Sequence, residues 1–415
     1  MSDSTMSVRN DLQPVVIGGD IGAYALGREM HEAFGVKSYC VAPSPIGAIA
    51  HSAIFEQYPV ERLGREQILA ALGDIARKSA PKTVFVVSNA DPLIPVLAEI
   101  APQLPDNVVM SVPPVDVVDL VSDKMRFAEL CARNGLETPR TEVAHLAGTD
   151  PIPPTQIDFP VVVKPARSPE YNKFIAQGFQ KVYFVESQPE LDEVFSSLRA
   201  AGCDTDMLVQ ELIGGDDTYA DSVTLYIDSQ GKTTLFASAH VLLGDHAPTM
   251  LGNPVAMVTQ QVPELWERTS RMLAEVGYHG FANFDVKRDP KNPGRYVFFE
   301  VNPRIGRNSY YVCAGGVNPM RVTVADLVDH VSLEPQVADE KVLYTLVPLG
   351  LLRKYVLDAN LAAEVESLVR AGKVFDPQRY GRDRGIRRMI DVCLTECNQN
   401  RKFARYYPKP TDTSF

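Results

Sequence analysis

An α/β architecture with a parallel sheet at its amino-terminal end is the fold class the sequence predicts, on two observations. Between residues 14 and 115 short apolar runs alternate with stretches of helical periodicity, the pattern of strands covered by crossover helices. Farther on, Phe281–Pro319 reads as a β-hairpin and loop whose strands carry acidic residues inside apolar runs.

The alternation opens with Pro14-Val15-Val16-Ile17-Gly18, a short apolar strand. The helix after it sets Ala23, Leu26, Gly27, Met30, Ala33 and Phe34 on one stripe and stops at Gly35. A strand over Lys37–Ala42, a helix marked by Ile68, Leu69, Leu72 and Ile75, and strands at Thr83–Ser88 and Val108–Val112 complete the unit. The turn Gly18-Gly19-Asp20-Ile21-Gly22 lacks the third glycine of a G-x-G-x-x-G fingerprint. It is expected to shape a substrate cleft, because ligands of open α/β sheets bind at the carboxyl ends of strands.

Pro113-Pro114 ends this first domain, placed at residues 1–115. Ser122 or Asp123 caps a helix that runs to about Asn134 and is closed by Gly135. A Pro-rich joint, Asp150–Pro154, leads into the strand Val161–Lys164, in which Val161 and Val163 point one way and Val162 and Lys164 the other. A polar loop is expected over Arg167–Lys181, then a strand at Val182–Val185, a helix at Leu191–Ala200 and a strand at Met207–Leu212. Residues of about 150–213 thus read as a small α+β flap inside a middle domain of 116–319. Thr218–Tyr226 and Thr233–Leu242 read as paired antiparallel strands, and a helix covers Glu264–Val276. Beyond Pro319 the pattern is mainly helical, giving a C-terminal extension at 320–415.

Composition narrows the function. At 415 residues, with 45% hydrophobic and 22% charged residues, the chain is that of an ordinary globular protein of two or three domains. Its net charge of −11 argues against non-specific nucleic-acid binding. The polar start MSDSTMSVRNDLQ shows no signal peptide, and no run is long enough for a membrane span. Six scattered cysteines fit reduced, packed thiols in a cytoplasmic protein, with Cys393 and Cys397 four apart on a helix where they would pack.

The hairpin carries the sharpest chemistry. Glu300 and Asn302 are two residues apart and leave the same face of their strand, and Asp285 can lie beside them across the hairpin. An ionised group inside such apolar runs is costly unless it is paired or bound to a metal. Two carboxylates and an amide oxygen make a hard site of the kind Mg2+ takes when it also holds phosphates. Arg304 and Arg307 follow at once, placed to meet an anion. Lys164, at a strand end, is either a snorkelling edge residue or a lysine awaiting an anionic partner. Gln210-Glu211-Leu212-Ile213 breaks into Gly214-Gly215, a turn that frees backbone groups.

This order of features resembles the ATP-grasp ligases: a lysine at a helix start (Lys124), a lysine at a strand end (Lys164), a hinge strand at 210–213 and an Asp…Glu-x-Asn hairpin. The resemblance covers most of the chain and is most specific at Glu300-Val301-Asn302-Pro303-Arg304. It implies an ATP-grasp fold with an N-terminal pre-ATP-grasp sheet, a flap and a helical extension. By the same resemblance Lys124 and Lys164 would bind the phosphates of ATP, and Gln210, Glu211 and Ile213 would hold adenine. Asp217, or its neighbour Asp216, would hold ribose, and Asp285, Glu300 and Asn302 would ligate Mg2+. Lys164 and Arg304 would neutralise charge in the reaction, while Arg307 and Ser309 would grip the amino-acid substrate. One departure stands out: many members carry a Gly-rich phosphate loop in the flap, whereas Arg167–Lys181 holds only Gly178.

Val16–Asp20, His31–Gly35, Asn302–Tyr311 and the basic tail around Arg401–Tyr407 are similar to the D-aspartate ligase branch of carboxylate–amine ligases. That branch implies an amino-acid carboxylate substrate and an amine acceptor on a UDP-linked muropeptide. Ligases of other branches, carbamoyl-phosphate-synthase-like or dipeptide-forming, and a non-catalytic ATP-binding regulator are the alternatives. The basic run from Arg379 to Arg405 is either a solvated helix face or a surface for a large anionic acceptor, and the histidines receive no role.

Overall fold

The structure, a computed structural model, describes residues 8–166, 168–248 and 250–411. Its first sheet is parallel throughout. Strands β1 (Leu12–Ile17), β2 (Ser38–Ala42), β3 (Phe55–Pro59), β4 (Thr83–Val87) and β5 (Val108–Met110) take the order β3-β2-β1-β4-β5. Register is set by the apolar runs, with Val16 facing Cys40 on one side and Val87 on the other. The helix Ile21–Phe34 begins at Asp20, whose carboxylate accepts from the Ala23 amide at 2.9 Å, and ends at Gly35 with φ of 66°. Nearly all of that helix is buried, including Arg28 and Glu29.

The chain divides into two compact units. The smaller holds Cys131–Gly214 and Lys287–Phe299. In it β6 (Thr141–Ala144), β7 (Val161–Pro165), β8 (Tyr183–Val185) and β9 (Met207–Glu211) form an antiparallel sheet ordered β6-β9-β7-β8. The alternation read from the sequence holds: Val161 and Val163 are buried, while Val162 and Lys164 are half-buried. Val161 and Val163 pack with Leu191, Phe195 and Leu198 of the helix Gln188–Ala200. The expected loop at Arg167–Lys181 is instead largely helical, with a helix at Ser168–Ile175; Arg167 lies outside the described residues. Tyr171 and Phe174, three apart, anchor that helix in the core, a short spacing easily missed in a polar stretch.

The larger unit contains the remainder. Strands β10 (Ala220–Ile227), β11 (Thr233–Gly244), β12 (Pro254–Gln260), β13 (Gly280–Arg288), β14 (Tyr296–Asn302), β15 (Gln336–Val337), β16 (Leu343–Thr345) and β17 (Val374–Phe375) build a second sheet. Its order is β14-β13-β10-β11-β12-β16-β17, with β15 beside β11. The C-terminal region is therefore not helical alone: β16 and β17 extend this sheet, and strands of three and two residues are too short to show a period. Among the described residues no helix is long and apolar enough to cross a membrane.

Two helical glycines predict opposite outcomes. A Cβ on Gly27 would fall 2.0 Å from the Phe55 ring, whereas on Gly73 the nearest atom is 3.9 Å away. Gly27→Ala is expected to lower stability by about 1–3 kcal/mol through overpacking. Gly73→Ala should raise it by about 0.8–1 kcal/mol through helix propensity. Urea melts of the two variants check both signs.

Candidate functional site

In the larger unit, the parts of β13 and β14 at Gly280–Val286 and Glu300–Asn302 bring the predicted acidic set together. Asn302 donates from Nδ2 to Asp285 Oδ2 at 3.1 Å and to the Asn283 carbonyl at 3.4 Å. Burial and the Glu300 carboxylate push the Asp285 carboxyl up to about 7, against the pull of Arg304 and the Asn302 amide. Holding two carboxylates that close is unfavourable without a cation. The donor set of two carboxylates and an amide oxygen therefore fits a hard divalent ion. Among the described residues no cluster of three or more His, Cys, Asp or Glu side chains is set to hold a metal.

The loop after β14 carries the two arginines, and each meets an acid from the first sheet. Arg304 forms a bidentate pair with Asp91, both bonds 2.7 Å. Asp91 follows the carboxyl end of β4 and was not singled out in the sequence. Arg307 donates from Nε to Asp20 Oδ2 at 3.0 Å, and Asn89 Nδ2 donates to the same carboxylate at 3.1 and 3.3 Å. The Gly18–Gly22 turn makes this possible. Gly18 sits at φ of 129°, and a Cβ on Gly22 would fall 2.4 Å from Asn89 Nδ2 and 3.0 Å from Arg307 Cα. The turn thus brings Asn89 and the Arg307 backbone against the helix start.

Ser309 is buried, and its Oγ donates to Glu29 Oε1 at 3.0 Å. Burial raises the Glu29 carboxyl far above the usual range, while Ser309 lowers it. Glu29 is a buried group that sequence reasoning missed; a lone acid within a helical stripe gives no signal of burial.

Asp217 is already engaged, its Oδ2 accepting from the Gly244 amide at 2.8 Å and bonded to His246 Nε2 at 2.9 Å. His246 lies flat on the Tyr407 ring, 3.5 Å between centroids, so the C-terminal segment braces this loop. Asp216 caps the short turn after it, accepting from the Thr218 amide and hydroxyl. Lys124 opens the helix Lys124–Arg133, capped by Asp123 as the sequence indicates.

In the smaller unit, Gln210 donates to Thr141 Oγ1 at 2.8 Å, and Ile213 is buried. Glu211 accepts from Arg295 at 2.9 and 3.2 Å and from the Arg140 amide, and Arg295 holds its carboxyl below the usual range. Arg295 also bonds Glu137 at 2.7 Å and Asp289 at 3.0 Å. The side chains of Gln210 and Glu211 thus both bond within the smaller unit.

No protein-family model matches the sequence. The solved L-amino acid ligase from Bacillus licheniformis aligns with a TM-score of 0.52 at 17% identity, over 76% of this chain and 74% of that one. N5-carboxyaminoimidazole ribonucleotide synthetase, solved as its ADP complex, aligns with a TM-score of 0.55 at 11% identity over 82% of each chain. The fold is that of the ATP-grasp ligases. The D-aspartate ligase of Enterococcus faecium is 24% identical over 411 residues, 95% of this chain and 96% of the relative. The chain is thus similar over nearly its whole length to a D-aspartate ligase, on the fold of the ATP-grasp ligases.

Three variants test the charged clusters. The folded-state carboxyl of Asp285 lies above its unfolded value, so its contribution to stability is present below about pH 4 and lost as pH rises through about 7. Asp285→Asn should gain stability relative to wild type across that window in metal-free buffer, and should lose any rise in Tm on adding Mg2+. Arg295→Ala leaves three carboxylates without their shared cation and should cost about 2–3 kcal/mol, less than a fully buried pair. Arg295→Lys, unable to bridge all three, should recover little in the same melts.

Proposed function

We propose that this ATP-grasp carboxylate–amine ligase activates the β-carboxylate of D-aspartate and joins it to an amine on a peptidoglycan precursor. The observation that carries the reading is the Asp285/Glu300/Asn302 set followed directly by Arg304 and Arg307, within a similarity to D-aspartate ligase that spans nearly both chains. Arg307 beside Asp20 supports an α-amino-acid substrate. A guanidinium can meet its carboxylate in bidentate fashion, and an adjacent carboxylate suits its ammonium.

In the first step a substrate carboxylate oxygen attacks the γ-phosphorus of ATP, the bond to ADP breaks, and an acyl phosphate forms. In the second an amine nitrogen attacks the acyl carbon, phosphate departs, and the nitrogen loses a proton. Positioning and charge neutralisation do most of this catalysis. When bound, Mg2+ held by Asp285, Glu300 and Asn302 would neutralise charge on the phosphates. Arg304, fixed in orientation by Asp91, would present its charge without reorganisation. Lys124 and Lys164 as phosphate contacts, Gln210, Glu211 and Ile213 as adenine contacts and Asp217 as the ribose contact rest on the family resemblance. So does a UDP-linked muropeptide as acceptor.

The decisive experiment is phosphate release from Mg-ATP with D-aspartate, L-aspartate and other amino acids, with hydroxylamine present to trap an acyl phosphate. Hydroxamate with D-aspartate alone supports the proposal; hydroxamate with another acid keeps the ligase and discards this substrate. Glu300→Gln is expected to lower turnover by about 100-fold or more with the fold intact. Arg307→Ala should raise KM for the amino acid at least about tenfold and leave KM for ATP nearly unchanged. Equal effects on both would remove Arg307 from the amino-acid pocket.

A further inference from the structure

The last long helix, Ile386–Tyr406, buries one side and leaves an apolar stripe on the other. Val392, Gln399, Phe403 and Arg388 face the protein. On the opposite side Ile386 is 80% exposed, Met389 53%, Ile390 54% and Leu394 61%, with Cys393 and Cys397 exposed between and beyond them. These positions recur at three- and four-residue steps, so they form one continuous outward face. The four-residue spacing of Cys393 and Cys397 predicts packing, but both lie on this outward stripe instead.

Charge is arranged around the stripe with the same order. Arg387, Leu394, Arg401 and Arg405 share one flank at helical spacing, and all three arginines are exposed. The helix has only two carboxylates, Asp391 and Glu396, and both are bound elsewhere. Asp391 pairs with His51 at 2.6 Å and Glu396 with Arg379 at 2.6 and 2.7 Å. The outward face is thus apolar with a cationic edge, on a chain whose net charge is −11.

We propose that this helix lies on the surface of an anionic lipid bilayer, its apolar stripe in the acyl boundary and its arginines at the headgroups. A bilayer answers both features at once. A second copy of the chain answers them poorly. In an antiparallel helix pair the arginine flanks of the two copies would meet, like charge against like. In a parallel pair the arginines would face Met389, Asn400 and Glu396, whose carboxylate Arg379 already holds. The helix lies on the membrane and does not span it, consistent with its mix of polar residues.

The test is flotation of the full-length protein with vesicles of phosphatidylcholine alone or mixed with phosphatidylglycerol. Binding to the anionic vesicles only, weakened by added salt, is expected. Ile390→Glu/Leu394→Glu and the Arg387→Glu/Arg401→Glu/Arg405→Glu variant should each lower binding at least about tenfold. Both should keep the wild-type melting temperature, because every changed residue is exposed. A fluorophore on Cys393 or Cys397 should shift to the blue on anionic vesicles. Equal binding to both vesicle types, no binding, or variants that bind like wild type would overturn the proposal. So would a stable dimer in solution that Ile390→Glu/Leu394→Glu splits, which would make the stripe an interface between copies. None of these readouts depends on which amino acid the enzyme uses.

Discussion

The structure depends on the burial of one polar-studded helix. Ile21–Phe34 carries Arg28 and Glu29 into the interior, where neither is tolerable without partners. Arg28 donates to the carbonyls of Asp376, Pro377 and Arg379 and to Glu32. Its guanidinium lies 4.0 Å from the Tyr310 ring centroid and 4.8 Å from that of Tyr380. Glu29 takes Ser309, Glu32 takes Tyr310, and Tyr24 donates to Asp383 at 2.9 Å. One helix thereby fixes the loop after β14 and the segment that precedes the last helix.

That last segment is locked in the same way. Arg388 and Asp383 form a buried pair at 2.8 Å, and Asp383 also accepts from Ser52 and the Ala53 amide. Such a pair contributes little net stability against a well-packed apolar alternative, but breaking one side of it is expensive. Its effect is to fix where the C-terminal helix docks against the short helix Gly47–Ala50 and the residues just after it. Docking with Arg388 inward is what turns Ile386, Met389, Ile390 and Leu394 outward, so the buried network and the exposed stripe have one cause.

Charge complementarity also explains why Arg304 and Arg307 are not free to wander in the loop that carries them. Each is tied to an acid at the carboxyl end of a strand in the first sheet, Asp91 after β4 and Asp20 after β1. Residues far apart in sequence share one surface because β1 and β4 are neighbours in the parallel sheet. The Asp285 and Glu300 carboxylates stand at the hairpin with like charges close together, a destabilising arrangement kept where a cation would relieve it.

Local sequence determined the elements with a clear period and punctuation. The strands at Val15 and Val84, the helix closed by Gly35, the alternation through Val161–Lys164 and the β13–β14 hairpin follow from residue spacing alone. So does the same-face placement of Glu300 and Asn302. Tertiary structure decided what spacing cannot carry: the partners of Arg304 and Arg307, the burial of Glu29 beneath Ser309, and the engagement of Asp217 by His246. It also added β16 and β17 to a sheet and turned Cys393 and Cys397 to the outside. The physical reason is common to all of these. Periodicity reports which face of an element is apolar, but a pair formed across hundreds of residues exists only once the sheets have set its two ends side by side.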